Sequence, residues 1–228
     1  MKKTLTDLCT EAFTEEREWT VDGLPVLRAS VSLPTPASPG DSASRRIRRY
    51  YRLQCRSFLR YCEHFLFPQA AAEYRVALAN SSPLPLFRAE LSYCVTYNQN
   101  GLWSLYTQSR EVTLPGRTLL TRHGDTWDLA AGYPIPLSAF FSARSGWKKQ
   151  LLRCAAEEIQ RQEAAGVSAY RPDWRRRLRR SFNSRNYFLT ADGLSFFFPM
   201  FALAPAAEGI PTFTVPYRPH SEKERPSC

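Results

Sequence analysis

The chain has 228 residues, of which 43% are hydrophobic and 13% aromatic, so it is long and apolar enough to bury a core of its own. Its 31 Lys and Arg residues outnumber its 21 Asp and Glu residues and give a formal net charge of +10, which favours anionic partners such as nucleic acid or an anionic surface and disfavours strongly cationic ones. The sequence shows no secretory signal and no run of roughly 18 apolar residues, so as written it predicts no transmembrane segment and either a cytoplasmic protein or a piece of a larger secreted one.

The N-terminal third is predicted to form a hairpin and a long helix. Two alternating segments, EREWTV and LPVLRASVSLP, flank an Asp22-Gly23 turn, which is typical of a β-hairpin. Residues 45 to 67 then have helical spacing, and Pro68 ends or kinks this helix before a further helical pattern reaches Asn80. The predicted core face comprises Ile47, Tyr51, Cys55, Phe58, Cys62 and Phe65, and the opposite face, called the arginine stripe below, comprises Arg45, Arg49, Arg52, Arg56 and Arg60.

The middle of the chain predicts three strands and a second helix. FRAELSYCVTY and LWSLYTQSREVT alternate on either side of an Asn98-Gln-Asn-Gly101 turn, and RTLLTRHGDTWDL is the third strand. The loop AAGYPIPLSAFF leads to the second helix, which is predicted to end at Gly166. The first strand is predicted to place Ala89, Leu91, Tyr93, Val95 and Tyr97 on one face, and the second helix Trp147, Leu151, Ala155 and Ile159.

The last third predicts a short basic helix and closing strands. PDWRRRLRRSF begins at Pro172, in a favourable first-turn position, and strands follow around an Asp192-Gly193 turn up to about Tyr217. The segment GLSFFF after this turn is apolar on both faces, so it must be a central strand or one covered twice. The fold class predicted from these elements is α+β: mostly antiparallel sheets with one long N-terminal helix and a second helix packed on one face.

Catalytic and metal-binding patterns are weak. His123, Asp125 and Asp128 form the only local cluster of histidine and carboxylates, with no second histidine at a metal-ligand spacing. A loop with a satisfied polar turn is the favoured interpretation, and a hydrolase built on His123 is the minor alternative. Nucleotide-binding, nucleophile-elbow and CxxC motifs are absent from the sequence. We therefore predict no catalytic residue, no metal and no cofactor.

Arginines give the strongest signal for a site. The arginine stripe and the basic cluster of the short helix could bind phosphates, although a solvated helix face is also where charges normally lie. The candidate anion-binding residues are Arg45, Arg49, Arg52, Arg56, Arg60, Arg175, Arg176 and Arg179.

The C-terminal segment FNSRNYFLTADGLSFFFPMFALAPAAEGIPTFTVPY resembles the signature of the RsiV-type domain family. This domain occurs in the anti-sigma factor RsiV of bacteria and in PdaC-like peptidoglycan deacetylases. Upstream, YCVTYNQNGLWSLY and TWDLAAGYPIPLSAFF resemble the hairpin and the Asp-x-x-x-Gly segment of the family. The matching signature positions are Asn186, Tyr187, Phe188, Leu189, Thr190, Asp192, Gly193, Phe196 to Phe198, Ala204, Pro205, Ala206, Gly209, Ile210 and Pro211.

The resemblance implies a division of the chain. Residues 1–84 would be a hairpin and long helix similar to the deacetylase-associated region, residues 85–217 the RsiV-type domain and residues 218–228 a disordered tail, with the first two forming one compact unit. One departure is the segment TLPGRT at residues 113–118, where the family usually has a Gly-Gly-Ala-His-Gly-type turn.

The resemblance also implies a non-enzymatic module that binds or senses a protein or a cell-wall-related ligand, usually outside the cytoplasm. A cationic lysozyme, the ligand of the best-known relative, is disfavoured because the chain itself carries +10. The alternative is an anion-binding protein whose arginine-rich helix faces contact nucleic acid or an anionic membrane or cell-wall surface.

Overall fold

A six-stranded sheet, called the large sheet, forms the centre of the protein in the computed structural model, which describes residues 8–37, 40–114 and 116–217. Its strands, in chain order and in spatial order, are β1 (Thr10–Val21), β2 (Leu24–Pro36), β3 (Phe87–Gln99), β4 (Leu102–Leu114), β5 (Arg117–Asp128) and β6 (Tyr133–Pro134). Neighbouring strands are antiparallel except β2 and β3, which are parallel. Parallel neighbours require a long crossover connection, which the predicted long helix provides.

The crossover consists of α1 (Ser42–Tyr61), a π-helical turn (Cys62–Leu66) and α2 (Phe67–Ala79). Asp41 caps the start of α1, since its carboxylate accepts a hydrogen bond from the Ser44 N–H at 2.7 Å. This bond lowers the pKa of Asp41. The apolar face of α1 packs against one face of the large sheet and closes the first hydrophobic core.

The predicted core face of the long helix is confirmed as far as Cys62 and is wrong at Phe65. The Phe67 N–H bonds to the Cys62 carbonyl five residues earlier, so this turn contains one residue more than an α-helical turn. Pro68 cannot donate to the residue four positions before it, and a π-helical turn is compatible with that loss. The extra residue rotates the side chains that follow by about 100°. Leu66 therefore takes the core position with 3% exposure, and Phe65 is 61% exposed.

A β-bulge in β3 changes which face of the large sheet its odd-numbered side chains point to. Val95 pairs with Leu105 and Tyr97 pairs with Ser104, so Thr96 is an extra residue without a partner of its own. Val95 packs against the first core as predicted. The prediction that Tyr97 shares that face is wrong, because the bulge turns Tyr97 to the opposite side, where it packs against the second core.

A three-stranded antiparallel sheet, the small sheet, packs on the face of the large sheet opposite α1. It comprises β7 (Tyr187–Leu189), the central strand β8 (Gly193–Phe197) and β9 (Thr212–Pro216). β7 crosses β5 so closely that a Cβ atom added to Gly124 would lie 2.0 Å from the backbone oxygen of Tyr187. Glycine at this position therefore allows the two sheets to meet.

The two-sided apolar strand is β8, and the prediction that it is central or covered twice is confirmed, since β8 is central and is also buried on both faces. Phe196 lies in the second core, on the outer face of the small sheet. Phe197 faces the large sheet, where the Arg122 guanidinium lies 5.7 Å from its ring. Both rings are buried.

Two further helices, α3 (Trp147–Ala164) and α4 (Trp174–Arg180), cover the outer face of the small sheet. Leu151, Ala155 and Ile159 point into the second core, as the helical spacing predicts. The α+β class with mostly antiparallel sheets is confirmed.

The N-terminal hairpin and the rest of the chain share one sheet. β2, from the predicted segment 1–84, pairs with β3, from the predicted segment 85–217. The tail predicted at residues 218–228 lies outside the described residues. Within the described part of the chain, no helix combines the length and the apolar character that a membrane crossing needs.

Candidate functional site

A partly buried hydrogen-bond network joins α1 to β5. The hydroxyls of Tyr50 and Tyr51 each donate to one carboxylate oxygen of Asp125, both at 3.1 Å, and the Trp127 indole donates to the Tyr51 hydroxyl at 3.1 Å. His123 Nε2 lies 3.2 Å from the Tyr50 hydroxyl and 3.2 Å from Asp125 Oδ1. Burial and the nearby carboxylate raise the pKa of both tyrosines, so both stay protonated and can donate.

His123 lies in β5, so the strand predicted for this segment is confirmed and the interpretation of the His123 cluster as a loop with a polar turn is wrong. β5 points His123 and Asp125 to the same side, as residues two apart in a strand must be. The hydrogen bond to Asp125 raises the pKa of His123, and burial opposes this effect. Asp128 does not join them, because its carboxylate accepts hydrogen bonds from the backbone N–H groups of Ala130 and Ala131. Within the described residues, no serine or cysteine hydrogen-bonds to the His123 ring.

A cleft, the α1 cleft, opens between α1 and the large sheet beside this network. Its volume is about 280 Å³. Gln54 spans part of it and donates from its side-chain amide to the Thr107 hydroxyl at 2.7 Å. The side-chain oxygen of Gln54 is buried and has no hydrogen-bond partner among the described residues. The cleft is lined by Gln54, Ser57, Phe58, Tyr61, Leu91, Thr107, Ser109, Glu111, Thr121, Arg122 and His123.

Glu111 is the charged group of the α1 cleft that lies deepest. It is 7% exposed and accepts a hydrogen bond from the Tyr61 hydroxyl at 3.0 Å. Burial raises the pKa of Glu111, and the hydrogen bond from Tyr61 opposes this effect. No Lys, Arg or His of the described residues lies within salt-bridge distance of this carboxylate.

A larger groove, the α3–α4 groove, lies on the opposite side of the molecule. Its volume is about 1100 Å³, and none of the residues that line it is acidic. Its apolar part is formed by Trp147, Leu152, Ala156, Trp174 and Leu178, and its cations are Lys148, Lys149, Arg153, Arg175 and Arg179. The groove therefore combines an apolar floor with a positive rim.

The N-terminus of α3 strengthens the positive charge of this groove. Gly146 is the N-cap residue and supplies no capping side chain, and the first turn contains no acidic residue. Lys148 and Lys149 occupy this turn instead, next to the positive end of the helix dipole. An approaching carboxylate would find both a local positive charge and unpaired backbone N–H groups.

The predicted arginines fall into two separate places. The arginine stripe runs along the exposed face of α1, and no carboxylate of the described residues lies within salt-bridge distance of it. Arg175 and Arg179 line the α3–α4 groove, and Arg176 pairs with Asp173 at 3.0 Å. Because both sheets lie between α1 and α4, the two groups do not form one surface.

Sequence reasoning missed the lysines of the α3–α4 groove and the polar residues of the α1 cleft. A signal existed for the groove, since two lysines without an acid in a first helical turn oppose the helix dipole. Glu111 and Gln54 gave no such signal, because only the packing of α1 on β4 buries the Glu111 side chain and the Gln54 side-chain oxygen.

Comparison with known proteins finds one matching family model and similar solved structures. The family model described as "Protein of unknown function (DUF3298)" matches residues 138–218, so a DUF3298 domain is present in the C-terminal part of the chain. Comparison with the curated proteins finds no significant match.

Two solved structures share the fold over nearly the whole chain. A member of the DUF3298 family from Bacteroides fragilis is similar with a TM-score of 0.68 and 13% identity, over 94% of this chain and 92% of that one. A DUF3298 family protein from Pseudomonas aeruginosa is similar with a TM-score of 0.57 and 14% identity, over 93% of this chain and 92% of that one.

Proposed function

We propose that the chain is a non-enzymatic binding module that holds an acidic, partly apolar segment of a protein partner in the α3–α4 groove. The observation that carries this proposal is the composition of the groove: five cations and two tryptophans line it, and no carboxylate does. A site of this kind selects for opposite charge at its rim and for apolar side chains at its floor.

The apolar floor supplies the affinity. Leu152 and Ala156 of α3 line the groove beside Trp147, which is partly buried and stacks on Phe141 at 5.4 Å. Tryptophan in a partly desolvated pocket is typical of the residues that dominate binding energy at protein interfaces. The exposed part of this surface is therefore suited to receive an aromatic or aliphatic side chain.

The cations supply orientation and attraction. The Arg175 guanidinium lies 4.5 Å from the centre of the Trp174 ring, which holds it at the edge of the floor. Lys148 is held in the same way, with its ammonium 5.3 Å from the Phe182 ring. Charges held over apolar surface lose less conformational freedom on binding than free side chains do.

The family match covers this part of the molecule. The groove lies entirely within residues 138–218, which match the DUF3298 family model. The resemblance to the RsiV-type domain suggests a ligand-binding or sensing module as well, with a protein or cell-wall-related ligand. A strongly cationic ligand does not fit a groove of this charge.

The arginine stripe favours a second candidate function. Five exposed guanidinium groups without a carboxylate partner among the described residues are suited to contact nucleic acid or an anionic surface. These arginines lie on an exposed helix face, so binding there would depend steeply on salt and little on the chemical detail of the ligand.

A displayed library of peptides separates the two functions. Peptides selected on the wild-type protein are expected to carry Asp or Glu beside Trp, Phe or Leu. Their binding should weaken by about tenfold or more, or about 1.4 kcal/mol, in the double variant Arg175→Glu/Arg179→Glu. The variant replaces two cations of the groove by carboxylates, which repel the acidic side chains of the peptides. The matched control is Arg49→Glu/Arg56→Glu, which makes the same charge change on the arginine stripe and should alter binding about twofold at most.

Two results would contradict the proposal that the α3–α4 groove binds an acidic segment. Equal loss in both double variants would show that only the net charge attracts the peptides. Salt-sensitive binding of double-stranded DNA or of vesicles with anionic lipid, lost in Arg49→Glu/Arg56→Glu and kept in the groove variant, would support the second candidate instead. Thermal unfolding of each variant shows that it remains folded.

A further inference from the structure

The α1 cleft has the chemistry of a second binding site. We propose that it binds the ammonium group of a small organic cation, with Glu111 as the counter-ion. This site is separate from the α3–α4 groove, since the two sheets lie between them, so either proposal can fail without the other.

The first argument is the isolation of a buried negative charge. Glu111 is more than nine-tenths buried, and its one hydrogen bond comes from the Tyr61 hydroxyl. Arg122 also lines the cleft, but its guanidinium lies on the other face of the sheet, where it bonds to Gln108 and Thr212. A carboxylate removed from water without a cation is unfavourable, and a bound ammonium group would supply the missing charge.

The second argument is an acceptor without a donor. The amide nitrogen of Gln54 is used by Thr107, so its buried oxygen is the free end of the side chain. An ammonium group has three donors and no acceptor. Gln54 of α1 and Glu111 of β4 line opposite walls of the same cleft, so a ligand whose ammonium group lies at Glu111 can extend its polar part toward Gln54.

The third argument is the aromatic wall. Tyr61 lines the cleft and stacks on Phe65, with ring centres 5.7 Å apart. The π-helical turn is what places Phe65 on the surface beside Tyr61. Aromatic faces attract cations, and π-helical turns occur frequently at functional sites. Tyr61 is therefore positioned to contact the alkyl part of an amine that points into the cleft, and Phe65 supports its ring from the other side.

The size of the cleft limits the ligand. About 280 Å³ corresponds to roughly nine water molecules at ~30 Å³ each. A primary amine with a short alkyl or polar chain fits this space, and a folded polypeptide does not. The remaining hydroxyls of Ser57, Ser109 and Thr121 would contact polar groups beyond the amine.

Butylammonium chloride is a suitable probe, with 1-butanol as its uncharged counterpart. In two-dimensional NMR of the wild-type protein, butylammonium is expected to shift the Gln54 side-chain amide and the Glu111 backbone amide in a saturable way, and butanol is not. In Glu111→Gln the affinity should fall at least tenfold. This variant should unfold at the same temperature as the wild type or higher, because it removes a buried charge without changing the shape of the side chain.

The control variant is Glu90→Gln, which removes an exposed carboxylate that lies 3.8 Å from Arg110. It should bind butylammonium as the wild type does. The proposal is overturned if butanol shifts the same resonances equally, if Glu111→Gln binds butylammonium unchanged, or if butylammonium produces no saturable shift. A general effect of ionic strength would appear equally with sodium chloride, and that result also overturns the proposal.

Discussion

The contact between the two sheets gives a specific prediction, because β7 can approach β5 only where Gly124 has a hydrogen atom in place of a side chain. Replacing Gly124 by Ala places a methyl group 2.0 Å from the backbone oxygen of Tyr187 and 2.8 Å from its carbonyl carbon. Both are backbone atoms of β7, so no side chain can rotate away. The strand must move outward until the separation reaches the 3.4 Å at which ordinary contact begins.

The magnitude follows from what this movement disturbs. Overpacking of a rigid contact destabilises by about 1–3 kcal/mol. The movement also stretches the buried hydrogen bond from the Leu189 N–H to the Ser104 hydroxyl, now 2.8 Å, which is worth about 1 kcal/mol. Gly124→Ala is therefore expected to lower the free energy of unfolding by about 3 kcal/mol.

Equilibrium unfolding in urea, followed by tryptophan fluorescence, measures this effect. The control is Gly40→Ala, where an added Cβ would have no atom within 4 Å and the change should stay within about 0.5 kcal/mol. If Gly124→Ala lost less than about 1 kcal/mol, the close approach of β7 to β5 would not be what joins the two sheets.

Two further predictions concern residues around α1. In the folded protein, Asp125 raises the pKa of His123 above its ordinary 6.5, while burial and Arg185 oppose this effect. The ion pair with Asp125 therefore stabilises the fold fully below about pH 6.5, and this stabilisation is lost as the pH rises through the folded-state pKa. The difference in unfolding free energy between the wild type and His123→Gln should therefore be larger at about pH 5.5 than at about pH 8.5, and a difference independent of pH would contradict the ion pair. Leu66→Ala should cost about 2–5 kcal/mol in urea unfolding because it leaves a cavity, and Phe65→Ala less than about 1 kcal/mol; the reverse order would contradict the π-helical turn.

Turn chemistry made the hairpins predictable. Asp22 and Gly23 have φ values of 51° and 78°, and Asn100 and Gly101 have 56° and 77°, the left-handed conformations that two-residue hairpin turns require and that these residues adopt readily. Strand pairing then follows from the short connections. The central position of β8 was equally predictable from the sequence, since a strand that is apolar on both faces must be covered on both faces.

Irregularities within elements were harder to predict. Pro68 indicated that the helix would be interrupted, but a periodic pattern cannot show that the chain would continue as a helix with one extra residue. Its consequence is the exchange of Phe65 and Leu66 between surface and core. The bulge at Thr96 has the same effect in β3, because one inserted residue reverses which face every later side chain occupies.

The polar wall of the α1 cleft shows why the candidate site was not visible in the sequence. Thr107 and Glu111 of β4 and His123 of β5 share the face that α1 covers. In a half-buried strand, alternating polar residues normally indicate the face that meets water, so the pattern alone assigns these residues to solvent. Thr107 and Glu111 are buried, and His123 is partly covered, because the parallel pairing of β2 and β3 carries the crossover helix over β4 and β5. Polar residues of the sheet lie under the flank of α1 that carries Gln54, Ser57 and Tyr61. They leave a cleft there instead of a packed core, and a small ligand can enter this cleft.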